Sequence, residues 1–137
     1  MFKTILLVLL LFLTACQEKA KPLVSKNSTL ERPLLCLQLS TLDKKDKLVA
    51  YLNGLYRFEK SCDYQLALTY KQDIVCNSSY NVGLKTTGKF PKSFVKLEVR
   101  QGLKVVYSYY VDLYSNADEE DVEEGFERLK RDLFSSP

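Results

Sequence analysis

Four lysines with aromatic residues between them form the group of side chains in this sequence that is best suited to binding a charged ligand. They stand within twelve residues, and no acidic residue lies among them; they are Lys85, Lys89, Lys92 and Lys96. Phe90 and Phe94 are interleaved with them. Such a cluster can contact anionic lipid headgroups, lipopolysaccharide or an acidic protein. A loop that lysine keeps soluble is the alternative interpretation.

The same region contains a partial nucleotide-binding pattern. Residues 83–89 match the first seven positions of a phosphate-binding P-loop. Phe90, however, stands where a Ser or Thr should bind magnesium, and Pro91 follows where a helix should begin. We therefore predict no nucleotide site here.

Tyr110 is the residue that we predict to contact a protein partner. In the predicted strand Tyr107 and Tyr109 face the core, so Tyr110 should lie on the opposite face with Ser108 and Asp112. Exposed tyrosines are common at interfaces because the ring is apolar and the hydroxyl is polar. Packing of Tyr110 in the core or at its rim is the alternative.

The composition argues against an enzyme. The chain has no His, the commonest general base and metal ligand. Paired carboxylates occur only where the last helix should begin, and no Ser or Lys stands in a recognisable nucleophile setting. The cysteines lack zinc-ligand spacing. We predict no catalytic residue, no metal and no cofactor.

The N-terminus carries the most specific motif. An apolar run over residues 5–13 follows Lys3 and ends in Leu13-Thr14-Ala15-Cys16. This arrangement resembles the lipobox of bacterial lipoprotein signal peptides. The resemblance implies that residues 1–15 are removed and that Cys16 is acylated on its sulfur and its new amino group. Nine residues at about 1.5 Å each cannot cross a hydrocarbon core of roughly 30 Å, whereas two or more acyl chains anchor a protein stably.

The resemblance also implies a location and a class of partner. Gln17, rather than Asp, follows the cysteine, and this favours the outer membrane with the domain facing the periplasm. Removal of Lys3 leaves 19 cations against 17 anions, too even a balance to suggest nucleic acid. We predict a binding or assembly-accessory module with an envelope protein partner. A surface-exposed lipoprotein or an inhibitor of a secreted hydrolase is the alternative.

Three further cysteines, Cys36, Cys62 and Cys76, would lie in an oxidising compartment. We favour Cys62–Cys76, which would close a loop of about 15 residues and contribute roughly 3 kcal/mol. A tight hairpin between them would misalign the pair, so Cys36 with either partner stays open.

The elements follow from periodicity. Residues 16–32 are polar and aperiodic, which predicts a flexible tether, and residues 33–137 should form a single domain. Residues 33–39 predict a strand with Leu35, Leu37 and Leu39 on one face. A helix should follow, capped by Ser40 and ended by Gly54; an Asn53-Gly54 hairpin is the alternative.

The later elements have clearer patterns. Residues 63–70 alternate as a strand, and residues 74–76 and 82–84 suggest short strands. Residues 93–100 and 103–113 predict a hairpin with Val99 opposite Val105 and a left-handed or bulged Gly102. Residues 117–134 predict a helix capped by Asn116, with a stripe of Val122, Phe126, Leu129 and Leu133.

This order predicts an α+β fold: an antiparallel sheet of about four to five strands with two helices on one face, in the order β-α-β-β-(β)-β-β-α. The layout is similar to that of small envelope-assembly lipoproteins such as the lipopolysaccharide-export plug. Layout alone does not determine function.

Overall fold

The computed structural model describes residues 19–41, 43, 45–75 and 90–136. Its elements are β1 (Leu23–Lys26), β2 (Gln38–Ser40), α1 (Lys47–Leu55), β3 (Tyr64–Lys71), β4 (Ser93–Gln101), β5 (Lys104–Leu113) and α2 (Glu119–Leu133). The five strands form one sheet in the order β1-β5-β4-β3-β2. The predicted α+β class is confirmed, but the sheet is mixed because β2 pairs parallel to β3.

One face of the sheet carries the core. Alternate residues of β4 and β5 are buried there: Val95, Leu97, Val99, Tyr107, Tyr109 and Val111. The apolar stripe of α2 packs on these strands, and all four of its predicted members are fully buried. α1 adds Leu48 and Leu52 to the same cluster and contacts α2. Both helices therefore lie on one face, as their apolar stripes require.

The β4–β5 hairpin confirms the strands but corrects their register. Gly102 has a φ of +59°, as the turn requires of it. Val99 lies opposite Tyr107 instead of Val105, because the ladder shifts between Val99 and Arg100. The extra residue is on β5, where Val106 is buried beside Tyr107 and Val105 is 40% exposed. A bulge of this kind turns the strand locally, so strict alternation fails within it.

The first helix is shorter than predicted. It begins at Lys47, and Asp46 caps it by accepting bonds from the backbone N–H groups of Leu48 and Val49. Ser40 is not the cap, since it ends β2. Gly54 lies inside α1, and the chain leaves the helix in extended conformation at Tyr56. The Asn53-Gly54 hairpin is therefore excluded.

The second helix is capped by Asp118 instead of Asn116. The Asp118 side chain accepts from the Asp121 N–H, and the Asp121 carboxylate accepts from the Asp118 N–H, which completes a capping box. Asn and Asp both have a short side chain whose oxygen can cap a helix, so the sequence predicts the cap only to within two positions.

The segment before the first helix differs from the predicted strand. Leu34 and Leu37 are buried, whereas Leu35 is 87% exposed, so the predicted alternation of residues 35, 37 and 39 is wrong. Only Gln38–Ser40 pairs with β3. Backbone bonds elsewhere hold the segment, including the Leu34 N–H to the Leu133 carbonyl.

The disulfide joins Cys36 to Cys62, with the Cα atoms 5.9 Å apart. The favoured Cys62–Cys76 pairing is wrong, because Cys62 is already bonded to the segment before β2. Ile74 and Val75 lie outside any strand. Cys76 and the strand predicted over residues 82–84 lie outside the described residues.

The chain before residue 33 is not simply a spacer. Leu23–Lys26 forms the edge strand β1 and pairs antiparallel with β5 over four residues. The Asn27 N–H continues this contact with a bond to the Val106 carbonyl. Local apolar periodicity could not reveal β1, because no β1 side chain is fully buried and backbone pairing holds the strand.

Candidate functional site

The face of the sheet opposite the helices is a candidate binding surface, and we call it the open face. The strand registers place on it Leu23 and Ser25 of β1, Ser108, Tyr110 and Asp112 of β5, Phe94, Lys96, Glu98 and Arg100 of β4, and Gln65, Ala67, Thr69 and Lys71 of β3. Aromatic rings lie near the end of this face where β4 begins, and charged side chains lie beside them.

Two aromatic rings stack on the open face, near the end of the sheet where β4 begins. The rings of Phe94 and Tyr110 have centroids 5.3 Å apart with an interplanar angle of 28°. The Tyr110 hydroxyl donates to Asp112 Oδ1 at 2.7 Å. Partial burial and this bond raise the pKa of Tyr110 to about 12, so the ring stays neutral. Tyr110 thus lies on the face predicted for it, with Ser108 and Asp112, and the sequence did not reveal its partner Phe94.

Charged residues lie beside the aromatic pair. Glu98 accepts bonds from Lys96 on one oxygen and from Arg100 Nη2 on the other, the latter at 2.9 Å. Burial favours a higher pKa for the Glu98 carboxyl, but the two cations outweigh it and hold the pKa below its usual range. The positive charge of Lys96 is therefore balanced by Glu98, which lies two residues further along β4 on the same face of the sheet.

The remaining predicted site residues are only partly described. Lys92 is exposed immediately before β4. Lys85 and Lys89 lie outside the described residues, as does the lipid-attachment candidate Cys16. The structure thus separates Lys92 from Lys96, since one precedes the sheet and the other is paired within it.

Lys19 holds the N-terminal segment against α2, a contact that the sequence did not predict. Its ammonium lies 3.0 Å from Asp121 Oδ1 and 2.8 Å from Glu124 Oε2, both on α2. Partial burial favours a lower pKa for Lys19, but the bonds to Glu124 and Asp121 outweigh it and raise the pKa above its usual range. Asp121 is itself buried. A single lysine in a polar stretch carries no local signal of such a contact.

The N-terminal segment, described from Lys19 onward, enters the sheet at one definite end. The Ala20 N–H points at the Asp112 carbonyl at 3.4 Å, and across β5 the Lys92 N–H donates to the Leu113 carbonyl at 2.9 Å. The Ile74 N–H donates in turn to the Lys92 carbonyl. The N-terminal segment, the start of β4 and the chain after β3 therefore meet here. We call this the anchor end, because the predicted lipid-attachment residue Cys16 precedes the segment in the chain.

A groove of about 570 Å³ lies beside the β2 edge of the sheet, between β2 and α1. Leu39, Val49 and Phe58 give it apolar walls, and Glu59 and Lys60 lie at its border. None of the predicted binding, lipid-attachment or disulfide residues lines the groove.

Within the described ranges, no three His, Cys, Asp or Glu side chains are grouped closely enough to hold a metal ion. No described helix is both long and apolar enough to cross a membrane. No protein-family model, curated protein or solved structure matches the chain.

Proposed function

We propose that this chain is a lipid-anchored lipoprotein of the cell envelope and that it acts as a non-catalytic binding or assembly-accessory module. Its location is the periplasmic side of the outer membrane, where acylated Cys16 holds it. The lipobox-like motif over residues 13–16 supports the anchor. The stacked Phe94–Tyr110 pair on the open face is the observation that supports a binding role.

The open face has the composition of a protein-binding surface. Leu23, which pairs with Tyr110 across β1 and β5, is 68% exposed and extends the apolar area around the stacked rings. Asp112 and Lys96 border this area. Interfaces commonly combine an aromatic core with a polar rim. Stacking and the bond to Asp112 restrict the Tyr110 ring before any partner binds, which lowers the entropic cost of binding.

The anchor is tested by substitution of the cysteine. Cys16→Ser should abolish incorporation of an alkyne-labelled palmitate and move the protein from the membrane fraction to the soluble fraction. Cys76→Ser is the matched control, because it removes a cysteine without touching the motif, and it should keep both label and location. Lipid labelling that survives Cys16→Ser would refute the anchor.

The binding surface is tested by photocrosslinking in intact cells. A photoreactive phenylalanine at position 110 should give a discrete crosslinked band with an envelope protein, and Phe94→Ser should weaken that band. The control position is Leu103, which is fully exposed at the opposite end of the sheet. Equal crosslinking from both positions would argue against the open face. Digestion of the domain by protease added to whole cells would favour the surface-exposed alternative.

A further inference from the structure

The distance between the lipid and the folded domain is fixed by very few residues. Lys19 is three residues after Cys16, so their Cα atoms can be separated by at most about 11 Å. Ion pairs with two carboxylates of α2 restrict the position of Lys19. A protein acylated at Cys16 therefore keeps its anchor end close to the bilayer.

Exposed side chains at the anchor end have the character of a membrane interface. Phe90 is 49% exposed and Val75 is 71% exposed, on the chain that leads into β4 and on the chain that follows β3. Lys21, Lys71 and Lys92 are exposed on the same end. Lysines at an interface can keep the ammonium among headgroups while the stem lies along apolar surface.

Acidic groups lie on both sides of this end. On the open-face side Asp112 lies opposite Phe94, with its carboxylate bonded by the Tyr110 hydroxyl, and Asp73 is exposed on the chain after β3. The others lie on the helix side. Asp118 and Glu120 are exposed at the start of α2, while Lys19 bonds Asp121 and Glu124. Lys71 pairs with Phe94 on the open face. Next to that face the three exposed lysines thus outnumber Asp73 and Asp112, whereas the side next to α2 is acidic.

We propose that the anchor end rests on the phospholipid headgroups of the bilayer that holds Cys16. Phe90 lies at the level of the headgroups, and Lys21, Lys71 and Lys92 contact lipid phosphates. The strands then stand away from the membrane, and the open face points sideways, where a periplasmic partner can reach it. This arrangement rests on the proposed lipid anchor.

Exposed apolar residues alone do not identify which end of the domain contacts the bilayer. Leu35 and Leu103 are exposed at the opposite end, beyond the far ends of the strands. The nine residues of β4 span about 30 Å, so a domain whose anchor end touches the bilayer holds Leu103 well away from it. The short distance from Cys16 to Lys19 decides between the two ends.

The absence of Trp from the chain makes a direct test simple. Phe90→Trp and Leu103→Trp are prepared separately in the full-length acylated protein and inserted into vesicles of phosphatidylethanolamine and phosphatidylglycerol with brominated acyl chains. Because Trp favours the interface, we expect the bromines to reduce the Phe90→Trp emission roughly twofold and to leave Leu103→Trp nearly unchanged. Circular dichroism checks that both variants fold.

Charge is tested on the Phe90→Trp background. Lys21→Gln, Lys71→Gln and Lys92→Gln together should reduce the quenching, and added salt should reproduce the loss. The control changes Lys60, Lys104 and Arg131 to Gln, which removes the same number of exposed cations away from the anchor end. We expect the control to keep its quenching.

The outcomes separate the two proposals. If mass spectrometry shows no acyl chain on Cys16, the lipid anchor fails, and the membrane contact fails with it. If Cys16 is acylated and the protein is vesicle-bound, but Phe90→Trp is quenched no more than Leu103→Trp, the membrane contact is wrong and the anchor stands. Quenching that both lysine sets reduce equally would overturn the assignment of lipid contacts to Lys21, Lys71 and Lys92.

Discussion

Tyr70 joins the sheet to the first helix through one carboxylate. Its hydroxyl donates to Asp46 Oδ2 at 2.5 Å, while Asp46 Oδ1 caps α1. Burial favours a higher pKa for Asp46, but the bonds from Tyr70, Val49 and Leu48 outweigh it and hold the pKa below its usual range. The bond to Asp46 raises the pKa of Tyr70 to about 12. The pair thus fixes the start of α1 against β3.

We predict that Tyr70→Phe lowers the free energy of unfolding by about 1 kcal/mol at neutral pH, the modest value expected for a partly exposed bond to a charged group. A carboxylate with a depressed pKa stabilises the fold above its unfolded pKa near 3.9 and loses that contribution as pH falls through the folded pKa. The difference between Tyr70→Phe and the parent should therefore shrink below about pH 4. Urea unfolding at several pH values measures it.

Tyr51→Phe is the matched control for this experiment. The Tyr51 hydroxyl also donates to a carboxylate, Glu123 Oε2 at 2.5 Å, but this pair is exposed. We expect little change in stability and no comparable dependence on acid pH. A pH-independent loss in Tyr70→Phe would show that the bond to the ionised Asp46 carboxylate does not cause it.

At the scale of elements, the contact between α2 and the sheet depends on a glycine. A Cβ built on Gly125 would come within 2.7 Å of Tyr109 Cε1 and 3.1 Å of Leu97 Cδ1. The helix backbone approaches β4 and β5 closely at this point, and no other residue type fits without displacing the Tyr109 ring. Gly54 in α1 has open space around its Cα instead.

The two helical glycines should therefore respond oppositely to alanine. Gly125→Ala should destabilise the fold by about 1–3 kcal/mol, the usual cost of overpacking. Gly54→Ala should stabilise it by roughly 0.5–1 kcal/mol, since alanine restricts the unfolded chain and favours the helix. Thermal and urea unfolding of both variants measures this. A stabilised Gly125→Ala would contradict the close approach.

At the scale of the molecule, the disulfide joins the segment before β2 to the start of β3. The bond closes a loop over a sequence separation of 26 residues, and β2 and α1 lie inside that loop. Neither β2 nor α1 is paired with the β4–β5 hairpin, so the strand pairing of that hairpin does not restrain them. The bridge therefore restrains one edge of the sheet, whereas Lys19 restrains the other.

Replacement of both Cys36 and Cys62 by Ser should lower the free energy of unfolding by about 3–4 kcal/mol, the chain-entropy value for a loop of this length. Urea unfolding in the absence of reductant measures the loss. Under reducing conditions the parent protein should approach the stability of the variant, whereas Cys76→Ser should leave the oxidised stability unchanged. A large loss of stability in Cys76→Ser would instead indicate that Cys76 takes part in the disulfide.

Short-range patterns in the sequence predict several features of this fold. The alternation of β3 and β4, the stripe of α2, the left-handed Gly102 and the placement of Tyr110 opposite the core all follow from short-range patterns. Such patterns are readable because each side chain's face depends only on its position within its own element. The lipobox-like motif is likewise local, so the proposed anchor comes from the sequence alone.

Tertiary structure alone decided how those elements meet. It converted part of the predicted tether into β1, paired β2 parallel to β3, joined Cys36 to Cys62 and brought Phe94 onto Tyr110. Each of these features joins residues distant in sequence, and an edge strand or a disulfide leaves no periodic trace in its own segment. The same is true of Lys19, whose contacts with α2 accompany the approach of Ala20 to the end of β5, where Lys92 is also bonded.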